Sequence, residues 1–159
     1  MAVTKIANVL SKIDPDGTAY YEKRAGEYIT ALDELDSHIA NEILRIPDSK
    51  RWIMTEHESL GYLGDRYNVE ILRSVIANFS SESGPTPKDL ALAIDLIKKH
   101  NIPVIFVENE TNDQSAERVV EETGIKLAKG LSVETLRHDQ TYVDFMKYNI
   151  GIIVSNLVD

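Results

Sequence analysis

The chain of 159 residues has no cysteine. That excludes a disulfide framework, a thiolate metal site and a cysteine nucleophile, and says little about compartment. Basic residues are also scarce: 17 Lys and Arg stand against 26 Asp and Glu, a net charge of −9. Nucleic acid is therefore a poor partner, because phosphate binding needs a clustered basic surface. The acidic surplus suits solubility and attraction of cations. Long hydrophobic runs are missing as well. The longest stretches, such as Ile102 to Val107, fall well below the roughly 18 residues of a spanning helix. The opening Met-Ala-Val-Thr-Lys lacks the basic and apolar regions of a secretory signal, which fits either a cytoplasmic chain or one whose leader lies elsewhere. Catalytic motifs are absent too. His57-Glu58-Ser59-Leu60-Gly61 has no second histidine of a zinc-protease helix, and there is no GxSxG elbow, phosphate-cradling loop or GxGxxG turn. Nothing in the sequence supports an enzyme.

What is present is enough apolar material for a packed core: 43% hydrophobic against 27% charged residues. Asp14 and Pro15 form a helix-start signal. Tyr21, Ala25, Tyr28, Leu32, Leu35, Ile39, Ile43 and Ile46 then recur at spacings of three and four, up to Pro47. This predicts an amphipathic helix of about 30 residues, on the order of 45 Å long. It reads either as a coiled-coil partner or as a spine of the domain. Beyond it, short apolar runs alternate with helical patterns. Strands are expected at Arg51–Thr55, within Val69–Ile76, at Pro103–Val107 and at Ile125–Ala128. Helices are expected at Ser59–Tyr67, from Pro87 (capped by Thr86) to near His100, from Asp113 to Thr123 before Gly124, and from near Thr141 onward. The alternation predicts an α/β fold: an open, parallel sheet of about four strands with helices on both faces.

Ligands in open parallel sheets bind beyond the carboxyl ends of the strands. Three polar groups fall there. Thr55-Glu56-His57-Glu58 follows the first strand, Glu108-Asn109-Glu110 follows the central one, and His138-Asp139 precedes the last helix. Imidazole with carboxylates suits Zn²⁺, Mn²⁺ or Fe²⁺. Each also has a plain structural role open to it: His57 as a cap or packing residue, Glu108 as an acceptor for backbone N–H groups, and Asp139 as a helix cap.

The ordered segments resemble the C-terminal lobe of the TroA-like family of metal-binding solute-binding proteins, which serve ABC importers for zinc or manganese. The resemblance runs from Ile13-Asp14-Pro15 and Tyr20-Tyr21 through Ile46-Pro47 and Arg51. Its most specific part is Thr55 to Leu63, similar to the family's His-Asp-Ala-Phe-Gly-Tyr-Phe segment. Phe106-Val107-Glu108 and Tyr142…Met146-Lys147-Tyr148-Asn149 continue it.

The resemblance implies that His57 is the third metal ligand and that Glu108 is a ligand or a carboxylate beside the site. It implies a fourth ligand just before the last helix, where Asp139 is the nearest match and His138 the rival. It further implies that residues 1–12 are the tail of an inter-lobe connecting helix and that 13–159 are the C-terminal lobe, the N-terminal lobe with two further ligands being absent. The expected function is divalent-metal binding for an ABC permease, outside the cytoplasm. Zn²⁺ or Mn²⁺ would bind weakly to the lobe alone, and an exposed inter-lobe face would favour self-association. The competing expectation is a small metal-free cytoplasmic α/β interaction or ligand-binding domain, with His57 and Glu108 structural.

Overall fold

The computed structural model describes residues 2–55, 60–72, 86–108, 114–133 and 135–158. They fall into two compact units, one up to Ile39 and the other from Ala40 onward.

In the first unit, helix α1 (Ala2–Ile13) is followed by a 3₁₀ turn at Pro15–Gly17 and then by α2 (Thr18–Leu44), which runs on into the second unit. Asp14 is the start signal the sequence suggests, but it caps the 3₁₀ turn. Its carboxylate accepts from Gly17 N–H at 3.3 Å and from the Tyr21 hydroxyl at 2.8 Å. The apolar stripe of α2 is tightly buried only from Leu35 and Ile39 onward, continuing into Ile43. Its earlier members, Tyr21, Ala25 and Tyr28, line an open groove of about 390 Å³ with Val3, Ile6 and Leu10 of α1.

In the second unit, a nearly buried Arg51 secures the junction after α2. Its Nε donates to Ile46 O at 3.0 Å, its guanidinium pairs with Asp48 at 2.8 Å, and its carbonyl accepts from Glu70 N–H. The elements that follow are β1 (Trp52–Thr55), α3 (Gly61–Tyr67), β2 (Glu70–Leu72), α4 (Pro87–His100), β3 (Val104–Glu108), α5 (Gln114–Thr123), β4 (Lys126–Leu131) and α6 (Tyr142–Leu157). Local chemistry sets their limits. Thr86 and Asp89 form a capping box on α4 with Pro87 at its first position. Asn68 and Asn101, at φ 55° and 51°, end α3 and α4 in the left-handed conformation.

The four strands are all parallel, in the order β2-β1-β3-β4. Side chains alternate across the sheet. Met54, Ile105 and Val107 join Ala93 and Ile97 of α4 and Ala116 and Val119 of α5 in one buried cluster. Ile53, Val104 and Phe106 have the opposite parity and are equally buried. α6 packs against β3 and β4 and buries Ile150, Ile153, Val154 and Leu157. Helices therefore cover both faces, as the near-continuous apolar strands require. At the amino end of β1 the Trp52 ring lies 4.1 Å from that of His100, tilted by 35°.

β4 is longer than its sequence suggests. It crosses Gly130, because Val107 pairs with Lys129 and Glu108 with Leu131, leaving Gly130 as the extra residue of a bulge at φ 112°. Only glycine takes that backbone conformation readily.

Candidate metal centre

The chain leaves β1 for β2 on one side of the sheet, and β3 then returns to the other side of β1. Their carboxyl ends therefore flank the point where strand order reverses, where open α/β sheets place their ligand crevice. Thr55, 5% exposed, closes β1 and is paired in register with Phe106 of β3. Glu108 lies two residues further on, half-buried at the end of β3, directly at the bulge. Bulges redirect the side chains beside them and recur next to binding sites. His57, the strongest sequence candidate, lies outside the described residues, as do Glu56, Glu58, Asn109 and Glu110.

The third group lies on the loop between β4 and α6. Arg137 to Gln140 make a turn: Gln140 N–H donates to Arg137 O at 3.0 Å, and the Gln140 side-chain oxygen accepts from Arg137 N–H at 3.1 Å. His138 and Asp139 occupy its tip, with Asp139 in the left-handed region at φ 62°. Their side chains, 95% and 87% exposed, pair through His138 Nδ1 and Asp139 Oδ2 at 2.7 Å. Asp139 does not cap the last helix. Thr141 does, because an N-cap needs extended backbone and Thr141 has it, at φ −78° and ψ 162°. Asp144 completes that capping box, accepting from the Thr141 backbone N–H and hydroxyl at 3.2 and 2.5 Å. Those hydrogen bonds, from the side chain first and the backbone second, together with nearby Lys147, hold its carboxyl below the usual aspartate value.

Two residues of α6 reach back to this loop. Asn149, 5% exposed, accepts from Ser132 N–H at 3.0 Å and donates to Ser132 O at 2.7 Å. Tyr148 accepts a hydrogen bond from Arg137 at 2.6 Å, with the guanidinium carbon 4.1 Å from its ring centroid. Sequence reasoning assigned neither residue a role. The available signal was a carboxamide at position 149, on the apolar stripe of Phe145, Met146, Ile150 and Ile153.

Among the described residues no three His, Asp or Glu side chains converge as a metal cluster. The structure thus pairs His138 with Asp139 and sets Glu108 at the end of β3, where strand order reverses.

The sequence matches the family described as ZnuA, zinc-uptake complex component A, periplasmic, over residues 1–156. The chain belongs to this family. Its ZnuA-family relatives include the manganese-binding lipoprotein MntA of Halalkalibacterium halodurans, 28% identical over 159 residues, covering 98% of this chain and 52% of that protein. The high-affinity zinc uptake system protein ZnuA of Bacillus subtilis is 30% identical over 166 residues, covering 99% and 51%. Among solved structures, a Mn-bound variant of the periplasmic metal-binding protein from Candidatus Liberibacter asiaticus superposes with a TM-score of 0.82 at 27% identity, over 98% of this chain and 58% of that one. The periplasmic zinc-binding protein TroA of Treponema pallidum shares the fold, with a TM-score of 0.82 at 22% identity over 98% and 59%. The chain spans about half the length of the curated relatives it matches. The family's named members here are transport binding proteins, and no described helix is long and apolar enough to cross a membrane.

Proposed function

We propose that this chain is the C-terminal lobe of an extracytoplasmic protein that captures Zn²⁺ or Mn²⁺ for an ABC permease, and that it contributes part of the ligand set. The family match from residue 1 to 156 carries the reading. In it, residues 1–12 are the end of an inter-lobe helix and residues 13–159 are the lobe proper. His57 is a direct ligand. Asp139 or His138 is a second ligand, and Glu108 adds negative charge or a further oxygen at the crevice. Imidazole and carboxylate together serve both ions, so choice between them rests on coordination number and geometry rather than on raw affinity. The relatives named for manganese and zinc transport weigh against the metal-free alternative.

A structural zinc site takes four protein ligands, so a lobe that supplies only some of them binds weakly, with water completing the shell. Isothermal titration of this chain with Zn²⁺ or Mn²⁺ is expected to give weak binding that His57→Ala abolishes. Tight one-to-one binding unaffected by that substitution would overturn the assignment.

Copies of the chain also associate through the open face of α1. Ile6, Val9 and Ile13, at 60%, 54% and 76% exposure, fall on one side of the helix beside Leu10, with Tyr20 and Tyr28 next to them. An exposed apolar face rimmed by polar residues marks an association surface. Sedimentation equilibrium is expected to show a concentration-dependent dimer that Ile6→Glu with Ile13→Glu disperses; a strict monomer at high concentration would refute it.

A further inference from the structure

The segment from Ser132 to Thr141 has no regular secondary structure among its described residues, yet it carries His138 and Asp139. Two adjacent residues of α6 pin it at points five residues apart. Asn149 satisfies both backbone groups of Ser132, the first residue beyond β4. Tyr148 holds Arg137, the first residue of the turn. Between these anchors the Ser132 hydroxyl donates to Thr135 O at 2.8 Å.

The choice of asparagine is chemically pointed. Position 149 lies among Ile150, Ile153 and Val154, which are almost fully buried, and an unpaired amide there would be costly. A carboxamide carries a donor and an acceptor side by side, the set needed to meet one residue's N–H and C=O together. An apolar residue would pack as well but would leave Ser132 without these partners.

We propose that Asn149 is a positioning residue for cation capture. It registers the β4–α6 loop on α6, so that the His138–Asp139 turn is held in place before the ion arrives. This rests on the reading that the turn supplies a ligand. A loop ordered during folding does not have to be ordered again on binding, so the latch strengthens binding without touching the ion.

The test uses the whole chain, ZnCl₂ or MnCl₂ as the probe, and Asn149→Leu, an apolar replacement of similar size that preserves the core. Hydrogen exchange without metal is expected to show amides of residues 132–140 opening about tenfold faster or more, the scale of a lost pair of hydrogen bonds. Amides of β3 should slow or speed only with global stability. Titration is expected to show about tenfold weaker binding. In a His138→Ala, Asp139→Ala background, Asn149→Leu should cause no further loss.

Loop exchange that follows β3 in Asn149→Leu would overturn the latch. An equal loss of affinity in the background lacking the turn would overturn the positioning role. If removing His138 and Asp139 leaves wild-type affinity unchanged, the assignment of this turn to the cation fails and the positioning role fails with it. Faster loop exchange would then identify a latch that serves the fold alone.

Discussion

Replacing Gly130 by alanine tests whether the bulge in β4 is a requirement of the fold. At φ 112° a Cβ crowds the backbone, and strain of this kind costs about 1–3 kcal/mol. The substitution also restricts the unfolded chain, which offsets about 0.4–1 kcal/mol. Strain wins, leaving a net loss of roughly 1–2 kcal/mol, or about 2–8 °C in Tm for a chain of this size. The strand cannot escape cheaply by dropping the bulge. Shifting its end by one residue would turn Leu131, 1% exposed, toward the opposite face. Thermal melting by far-ultraviolet circular dichroism, with Trp52 emission as a second probe of cooperativity, measures the effect. Gly151→Ala is the matched control. It lies in α6 of the same unit, and an added Cβ there meets nothing within 4 Å. In a helix interior alanine is favoured over glycine by roughly 0.5–1 kcal/mol, so the control should raise Tm. The reasoning is refuted if Gly130→Ala melts at or above the wild-type temperature.

Thr141→Ala removes the side-chain half of the α6 capping box and should destabilise the chain by about 1 kcal/mol, measured by urea denaturation; an unchanged midpoint would contradict the cap. Because the Asp144 carboxyl is held below its ordinary value of 3.8 by that box, its contribution is present above the unfolded value and is lost as pH falls through the lower folded one. Carboxyl NMR titration should show Asp144 protonating below 3.8, and moving upward in Thr141→Ala. In the first unit, donation to Asp14 raises the Tyr21 hydroxyl above 10.0. That contribution is present below 10.0 and is lost as pH rises through the higher folded value. Ultraviolet difference titration of tyrosinate should lose a step above 10.0 in Tyr21→Phe, and a lower Tyr21 step in Asp14→Asn should mark the partner.

Much of the fold is legible because it is written in short-range chemistry. Thr86-Pro87 followed by Asp89 specifies the start of α4 locally, and the continuous apolar run from Val104 to Val107 already demands cover on both faces. The strand expected to end at Ala128 runs on to Leu131, and only the partner register shows Gly130 acting as a bulge within it. Asp139 is a credible cap by residue type, but capping depends on backbone conformation, and Thr141 has the extended geometry while Asp139 is left-handed. Glu108 is legible as a strand-end carboxylate because β3 is plain. The link between Asn149 and Ser132 spans 17 residues, and no local pattern encodes which distant backbone group a buried amide will meet. His57 lies outside the described residues, so its placement rests on the sequence.

The stacking of Trp52 on His100 has a practical consequence. Trp52 is the chain's one tryptophan, and it opens β1 while Thr55 closes it. Three residues at about 3.3 Å each separate it by roughly 10 Å from the crevice end of the strand. The protein thus contains an intrinsic optical reporter at the opposite end of β1 from the proposed metal site. Its emission follows the integrity of the β1–α4 contact, so a cation that merely settles into the crevice leaves the signal unchanged. A fluorescence response to Zn²⁺ or Mn²⁺ would mean that binding is felt along the whole length of β1.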